Sequence, residues 1–327
     1  MHAITFKQPG EPSVLMLTDV PQPIPGPEQL LVHVKACALN RADLLQRRGK
    51  YPPPPGESEI LGLEIAGQVV AMGKNVVGFG IGERVFGLVG GGAYAEYCLI
   101  DQGIAIPIPE KFSYVEAAAI AEAFLTAQEA VLTLGQLNAN ESILIHAGAS
   151  GVGSAATQIA HQANAMVYTT VGSSEKMAKI KNFGAHAILN YKETDFAAEI
   201  LRLTNNRGVN VIIDFIGATY LQSHLEILQP GGRLIIVGLM GGTKTEIDLR
   251  LLQQKRLQLK GLVMRMQSIP EKRLIVKRFQ ETLLPLFMNG KLRPIIDSIY
   301  PFNEVQTAHN HMENNANIGK IVLDLSH

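Results

Sequence analysis

The sequence predicts an α/β protein of two domains, one of them a doubly wound parallel sheet. Three observations predict it. Short apolar runs alternate with helix-spaced segments from about residue 140 to 263. The first of those runs leads through a glycine-dense turn into a helix. Before residue 110 the pattern is instead one of short, glycine-separated strands. Strands alternating with helices of this length make parallel βαβ units. At 327 residues the chain exceeds one ordinary core, so two domains are expected.

In chain order, residues 3–6 and 30–36 alternate like half-buried strands, and 62–72, 84–89 and 93–99 give further short strands. Proline-rich connectors at 21–27 and 52–55 separate them, and 40–48 reads as a short helical turn. Near Phe112 the composition shifts to an alanine-rich helical stretch, 114–134, which marks the domain boundary. Ile143, Leu144 and Ile145 then form a strand buried on both faces. Strands at 165–171, 187–190, 209–215, 231–238 and 257–263 alternate with helices at 174–183, 195–204 and 220–228. A long helix is expected over 270–288, ended by Asn289-Gly290, and an alternating strand over 319–325 that returns to the first domain.

The totals exclude several classes. Lys+Arg and Asp+Glu are both 29, so no net field draws the chain to nucleic acid or a membrane surface. Cys37 and Cys98 are too few for a disulfide framework or a four-thiolate zinc site. No apolar run approaches the ~20 residues of a membrane span, and the N-terminus lacks the pattern of a signal peptide, so a cytoplasmic protein is expected.

The chemistry centres on Gly148-Ala149-Ser150-Gly151-Val152-Gly153, a relative of the dinucleotide fingerprint with Ser150 at the middle glycine. Strand, tight turn and helix present backbone N–H groups to a pyrophosphate. The alternative reading is an ordinary strand–helix turn. The second strand ends in Gly172-Ser173-Ser174-Glu175-Lys176, with no carboxylate at its tip. Ser173 and Lys176 suit a ribose 2′-phosphate, and hence NADPH, although they also fit a helix cap and a surface charge. Glu175 stands beside them as a counter-indication.

These motifs, with Ala38-Leu-Asn-Arg-Ala-Asp-Leu-Leu45, Leu61-Gly-Leu-Glu-Ile-Ala-Gly67, Asn190-Tyr191 and Asn317-Ile-Gly-Lys320, resemble the zinc-free quinone oxidoreductases of the medium-chain dehydrogenase/reductase superfamily, the zeta-crystallin relatives. The resemblance covers essentially the whole chain and is nearest to the tumour-suppressor-inducible branch. It implies a GroES-like β-barrel catalytic domain, 1–119 completed by 293–327, and a Rossmann domain, 120–292. It implies NADPH as cofactor and a homodimer or homotetramer. Tyr191 is expected near the adenine end beside Ser173 and Lys176. Asn317 is expected to close the cofactor site, and Thr126, Gly217, Gly238, Leu239, Met240 and Met264 to border the cofactor. Asn40, Asp43 and Tyr51 are expected to line the acceptor pocket, unless Asn40 and Asp43 only cap the short helix and Tyr51 only packs on the proline loop. Zinc-dependent relatives carry Cys near the Asn40 position and His at Leu63, so no metal is expected here.

Quinone reduction by hydride, with Asn40 donating a hydrogen bond to the acceptor's oxygen, is the mechanism this implies. One-electron transfer is the variant within the same family. Reduction of enoyl or alkenal substrates is the alternative activity, and a nucleotide-binding structural or RNA-binding role the alternative of another class.

Overall fold

The computed structural model describes residues 1–326. The chain forms two units, one of residues 1–125 and 264–327, the other of 126–263. The units divide at 125/126 and 263/264, where the sequence places its boundaries at 119/120 and 292/293.

The first unit begins with the antiparallel pair β1 (His2–Thr5) and β2 (Met16–Asp19). Its larger sheet contains β3 (Gln29–Ala38), β4 (Glu64–Met72), β5 (Arg84–Leu88), β6 (Tyr97–Asp101) and β7 (Ile106–Pro107). In the second unit lie β8 (Ser142–Ile145), β9 (Met166–Val171), β10 (Ala187–Asn190), β11 (Val209–Asp214), β12 (Leu228–Ile236) and β13 (Gln258–Gly261). The chain closes with β14 (Ile296–Pro301) and β15 (Lys320–Asp324), again in the first unit.

The second unit is a six-stranded parallel sheet in the order β10-β9-β8-β11-β12-β13. Order reverses between β8 and β11, which makes the carboxyl ends of these two strands the topological switch point where such sheets bind ligands. Ile143, Leu144 and Ile145 are each wholly buried, as a central strand covered on both faces requires. Leu144, Ile212 and Leu234 pack with Ile200 and Leu225 from the covering helices into one apolar cluster.

In the first unit the sheet runs β14-β15-β3-β4-β5-β7, with β6 paired to β3. The tail strand β15 pairs antiparallel with β3, so the chain's end is built into its beginning. The segment from residue 264 belongs here for a packing reason. The helix Ile269–Thr282 inserts Phe279 edge-on to Phe86, and Phe287 packs on Phe124 and Phe279. Arg273 also pairs with Asp101 and Glu28. The expected single helix over 270–288 is two, broken at Leu283 because Pro285 starts the second helix, Leu284–Met288, without an N–H to continue the first.

Candidate functional site

In the second unit, five loops converge at the carboxyl edge of the sheet. The turn after β8 comes first. Ala147 is left-handed, at φ +49°, and Ser150 caps the helix Gly151–Gln162 by accepting the Gly153 N–H at 3.0 Å. Capping uses an oxygen lone pair, so the Ser150 hydroxyl hydrogen stays available to a ligand. The amides of Gly151 and Val152 take no backbone partner among the described residues and lie in the positive first turn. Two glycines here are dictated by contact. A Cβ on Gly148 would sit 1.8 Å from Thr169 Oγ1, and one on Gly153 would sit 2.2 Å from the Ala147 carbonyl oxygen.

At the tip of β9, a Cβ on Gly172 would lie 2.7 Å from the Tyr191 hydroxyl, so Tyr191, after β10, rests against this glycine. Ser173 caps the helix Ser174–Ile180 through the Lys176 N–H at 3.2 Å. Glu175 is fully exposed and pairs with Lys179 one turn along, at 2.9 Å. That pair draws its charge along the helix, away from the strand tip. After β11, Gly217 sits at φ +82° and donates to Asp214 Oδ2 at 3.0 Å. A Cβ on Gly238, after β12, would meet the Phe215 carbonyl oxygen at 2.9 Å, and Leu239 and Met240 beside it are exposed. Thr126 is buried on the helix Ala121–Gln128.

Beneath these loops lies a buried polar network that the sequence does not single out. His146 and His224 are hydrogen-bonded through their Nε2 atoms at 2.8 Å, and Thr170 bonds His146 Nδ1 at 2.9 Å. Asp214 holds the Ile216 and Gly217 amides at 2.8 and 3.0 Å. Burial pushes the Asp214 carboxyl up to about 6 and the His224 imidazole down to about 3, and it holds His146 well below the usual range. The only sequence signals are a histidine closing one apolar run and an aspartate closing another.

The first unit contains Asn40, Asp43, Tyr51, Met264 and Asn317. Asn40 precedes the helix Arg41–Arg47. Asp43, wholly buried, accepts from the Asn40 amide at 2.7 Å, the Gly62 amide at 3.2 Å and the Tyr94 hydroxyl at 3.2 Å. These contacts make it the third residue of a capping box with Asn40. Burial raises its carboxyl to about 6 against those three bonds and the Lys320 charge. Tyr94 in turn meets His309 Nε2 at 3.2 Å, and Arg47 Nη1 donates to His309 Nδ1 at 3.0 Å. Because Arg only donates, His309 carries its hydrogen on Nε2 and the chain of bonds runs from Arg47 to Asp43.

Asn40 is also spoken for. Lys320 Nζ donates to its Oδ1 at 2.6 Å, to Glu64 Oε1 at 2.7 Å and to the Leu39 carbonyl at 2.7 Å. Asn40 Nδ2 donates to Glu64 Oε1 at 2.9 Å and to the Ala38 carbonyl at 3.2 Å. A lysine cannot accept and a carboxylate cannot donate, so the amide orientation is fixed. Both Nδ2 hydrogens are used. The expected hydrogen bond from Asn40 to an acceptor's oxygen has no hydrogen left to make it. Leu63, at the position of a metal-binding histidine, is a buried apolar side chain. Tyr51 is half-buried beneath the Arg265 guanidinium, 5.4 Å from ring centroid to Cζ. Met264 is buried, and Asn317 Nδ2 bonds the Gly319 carbonyl at 2.7 Å.

Comparison with known proteins gives consistent relatives. Residues 26–110 match the alcohol dehydrogenase GroES-like domain, and 151–281 match the zinc-binding dehydrogenase family. The chain is 35% identical to a quinone oxidoreductase of Lama guanicoe over 327 residues, 99% of this chain and 97% of that one. It is 35% identical over 207 residues to a phenolphthiocerol/phthiocerol polyketide synthase of Mycobacterium tuberculosis. That alignment takes in 63% of this chain but spans only 9% of the synthase. Among solved structures, the Escherichia coli quinone oxidoreductase complexed with NADPH is 28% identical, with a TM-score of 0.90 over 99% of this chain and 100% of that chain.

Proposed function

We propose that this chain, which belongs to the medium-chain dehydrogenase/reductase superfamily, is an NADPH-dependent quinone oxidoreductase that works without zinc. The observation that carries the reading is the carboxyl edge of the parallel sheet. There the amides of Gly151 and Val152, the Ser150 hydroxyl and two glycines with no room for a Cβ form a cradle for a pyrophosphate. The β9 tip offers Gly172, Ser173 and Lys176 with no carboxylate, and Tyr191 lies against Gly172, an environment that suits a 2′-phosphate. Gly217, Gly238, Leu239 and Met240 continue the same edge. NADPH, when bound, supplies the hydride.

The residues of the first unit support a metal-free acceptor site. Leu63 offers no metal donor, Asn40 has its amide committed, and the Lys320 ammonium already balances the Glu64 carboxylate. Quinones suit such a site because reduction yields an aromatic ring without Lewis-acid help. Asn40 and Asp43 hold the first turn of the Arg41–Arg47 helix in place, and Tyr51 faces the acceptor. Protons reach the reduced acceptor from water. Cytoplasmic location and a homo-oligomer complete the proposal.

The test is an NADPH oxidation screen of the purified protein across 1,2- and 1,4-quinones, enones and an enoyl thioester, with zinc measured by elemental analysis and activity repeated after chelation. The reading expects quinone turnover that survives chelation. Turnover of enones or thioesters alone would replace it with the enoyl reductase activity, and chelator-sensitive turnover with stoichiometric zinc would overturn the metal-free site.

A further inference from the structure

The chain re-enters the first unit at Met264, and the next residue is a buried cation. Arg265 is 4% exposed. Its Nε donates to the Gly90 carbonyl at 2.8 Å and its Nη1 to Gln46 Oε1 at 2.8 Å. Gln46 is itself held, its Nε2 donating to the Glu59 carbonyl at 2.9 Å. Two anchors on separate segments thus set the guanidinium plane. Nη2 is also buried, yet it has no hydrogen-bond partner among the described residues. Asp43, Glu57 and Glu122 act on this cation through space, and none of them hydrogen-bonds to it. One face of the guanidinium meets the Tyr51 ring, 5.4 Å from the centroid. The aromatic face takes up part of the charge but not the N–H hydrogens. Buried donors are nearly always paired, and a pinned, desolvated Nη2 is preorganised to donate to an incoming oxygen.

We propose that Arg265 is an acceptor-recognising residue. Its Nη2 donates to a carbonyl oxygen of the acceptor lying beside Tyr51, selecting conjugated carbonyl compounds whose oxygen gains negative charge on reduction. This rests on the quinone oxidoreductase reading. The balance is that of hydride transfer. NADPH gives two electrons and one hydrogen to the acceptor, whose oxygen becomes anionic, and water supplies the second proton. Arg265 keeps its own protons and contributes a charge-assisted hydrogen bond that strengthens as the oxygen charges. Nothing local in the sequence distinguishes Arg265 from a surface arginine.

Two measurements separate the inference from the reading beneath it. Binding of 1,4-naphthoquinone to the NADP⁺-saturated protein, followed by calorimetry, tests Arg265, whereas turnover tests the quinone reductase activity. Arg265→Gln and Arg265→Lys would be compared with the parent, with thermal melts and NADPH affinity checking the fold and the other site. The glutamine variant should bind naphthoquinone about ten- to a hundredfold more weakly, the range of one charge-assisted hydrogen bond. The lysine variant should recover part of that loss, and NADPH affinity should stay within about twofold in both. A purely structural role would move the melts and leave naphthoquinone affinity unchanged, and that result overturns the proposal. If the glutamine variant fails to fold, the lysine variant decides by the same criterion. Naphthoquinone binding that weakens as expected without any turnover would leave Arg265 assigned and refute the reductase reading. A parent that binds no naphthoquinone overturns both.

Discussion

Lys320→Met should destabilise this protein more than any exposed substitution, because it strands a carboxylate in the interior. Glu64 is wholly buried and Lys320 is 4% exposed. The ammonium makes three bonds, to Glu64, Asn40 and the Leu39 carbonyl, at 2.6 to 2.7 Å. Removing one partner of a buried pair costs about 3–5 kcal/mol, since the remaining charge keeps its desolvation cost and loses its counter-ion. Glu64 keeps two donors, Asn40 Nδ2 at 2.9 Å and the Glu122 amide at 2.8 Å, which sets the expected loss near the lower end, about 3 kcal/mol. For a chain of 327 residues that corresponds to a fall in Tm of roughly 4 °C. Differential scanning calorimetry at fixed pH would read it. Lys320→Met with Glu64→Gln removes both charges; the glutamine's one carbonyl oxygen accepts from only one of Asn40 Nδ2 and the Glu122 amide, but no charge is stranded, so the double variant should be more stable than Lys320→Met alone. A single variant within about 1 kcal/mol of the parent, or a double variant no better than the single, would refute the buried-charge reasoning.

Other outcomes can be checked as directly. Gly148→Ala forces a Cβ to within 1.8 Å of Thr169 Oγ1 and should weaken NADPH binding in equilibrium titration by about tenfold or more, with Thr169→Ala restoring part of the affinity. Lys176→Ala should weaken NADPH by about 1.5–3 kcal/mol while leaving NADH nearly unchanged, and equal losses for both cofactors would exclude the 2′-phosphate contact. Acid should destabilise the fold. Burial holds His146 well below the usual 6.5 and His224 and His309 at about 3, so each stays neutral in the fold while the unfolded chain protonates below 6.5. Their stabilisation is complete above that pH and is lost as pH falls. Asp43 and Asp214, raised to about 6, take up protons in the fold between 3.8 and 6 and offset two of the three histidines. The remainder is about one histidine, so Tm should fall steadily from pH 7 to 4.5. A Tm that rises over that range would refute the buried neutral imidazoles.

The sequence by itself determined what local patterning can encode. The apolar run at 143–145 is a central strand because alternation fails there, and the strand-and-helix alternation that follows dictates a parallel sheet. Gly148, Gly153 and Gly172 are legible because each stands where a turn brings backbone or side chain within reach of a Cβ. Ser150 and Ser173 are legible as caps because each opens a helix. What the sequence could not carry was pairing between distant segments. Asn40 looks like a donor to an acceptor until Lys320, 280 residues on, takes its oxygen and fixes the amide. Asp43 looks like a pocket residue until Tyr94 and Gly62 close over it. Met264 and Arg265 follow the last strand of one unit and belong to the other, because Phe279 and Phe287 find their apolar partners there. Periodicity records which face of an element is buried, and only tertiary packing decides which polar groups meet in the interior, because each buried donor must be matched by an acceptor brought from elsewhere in the chain.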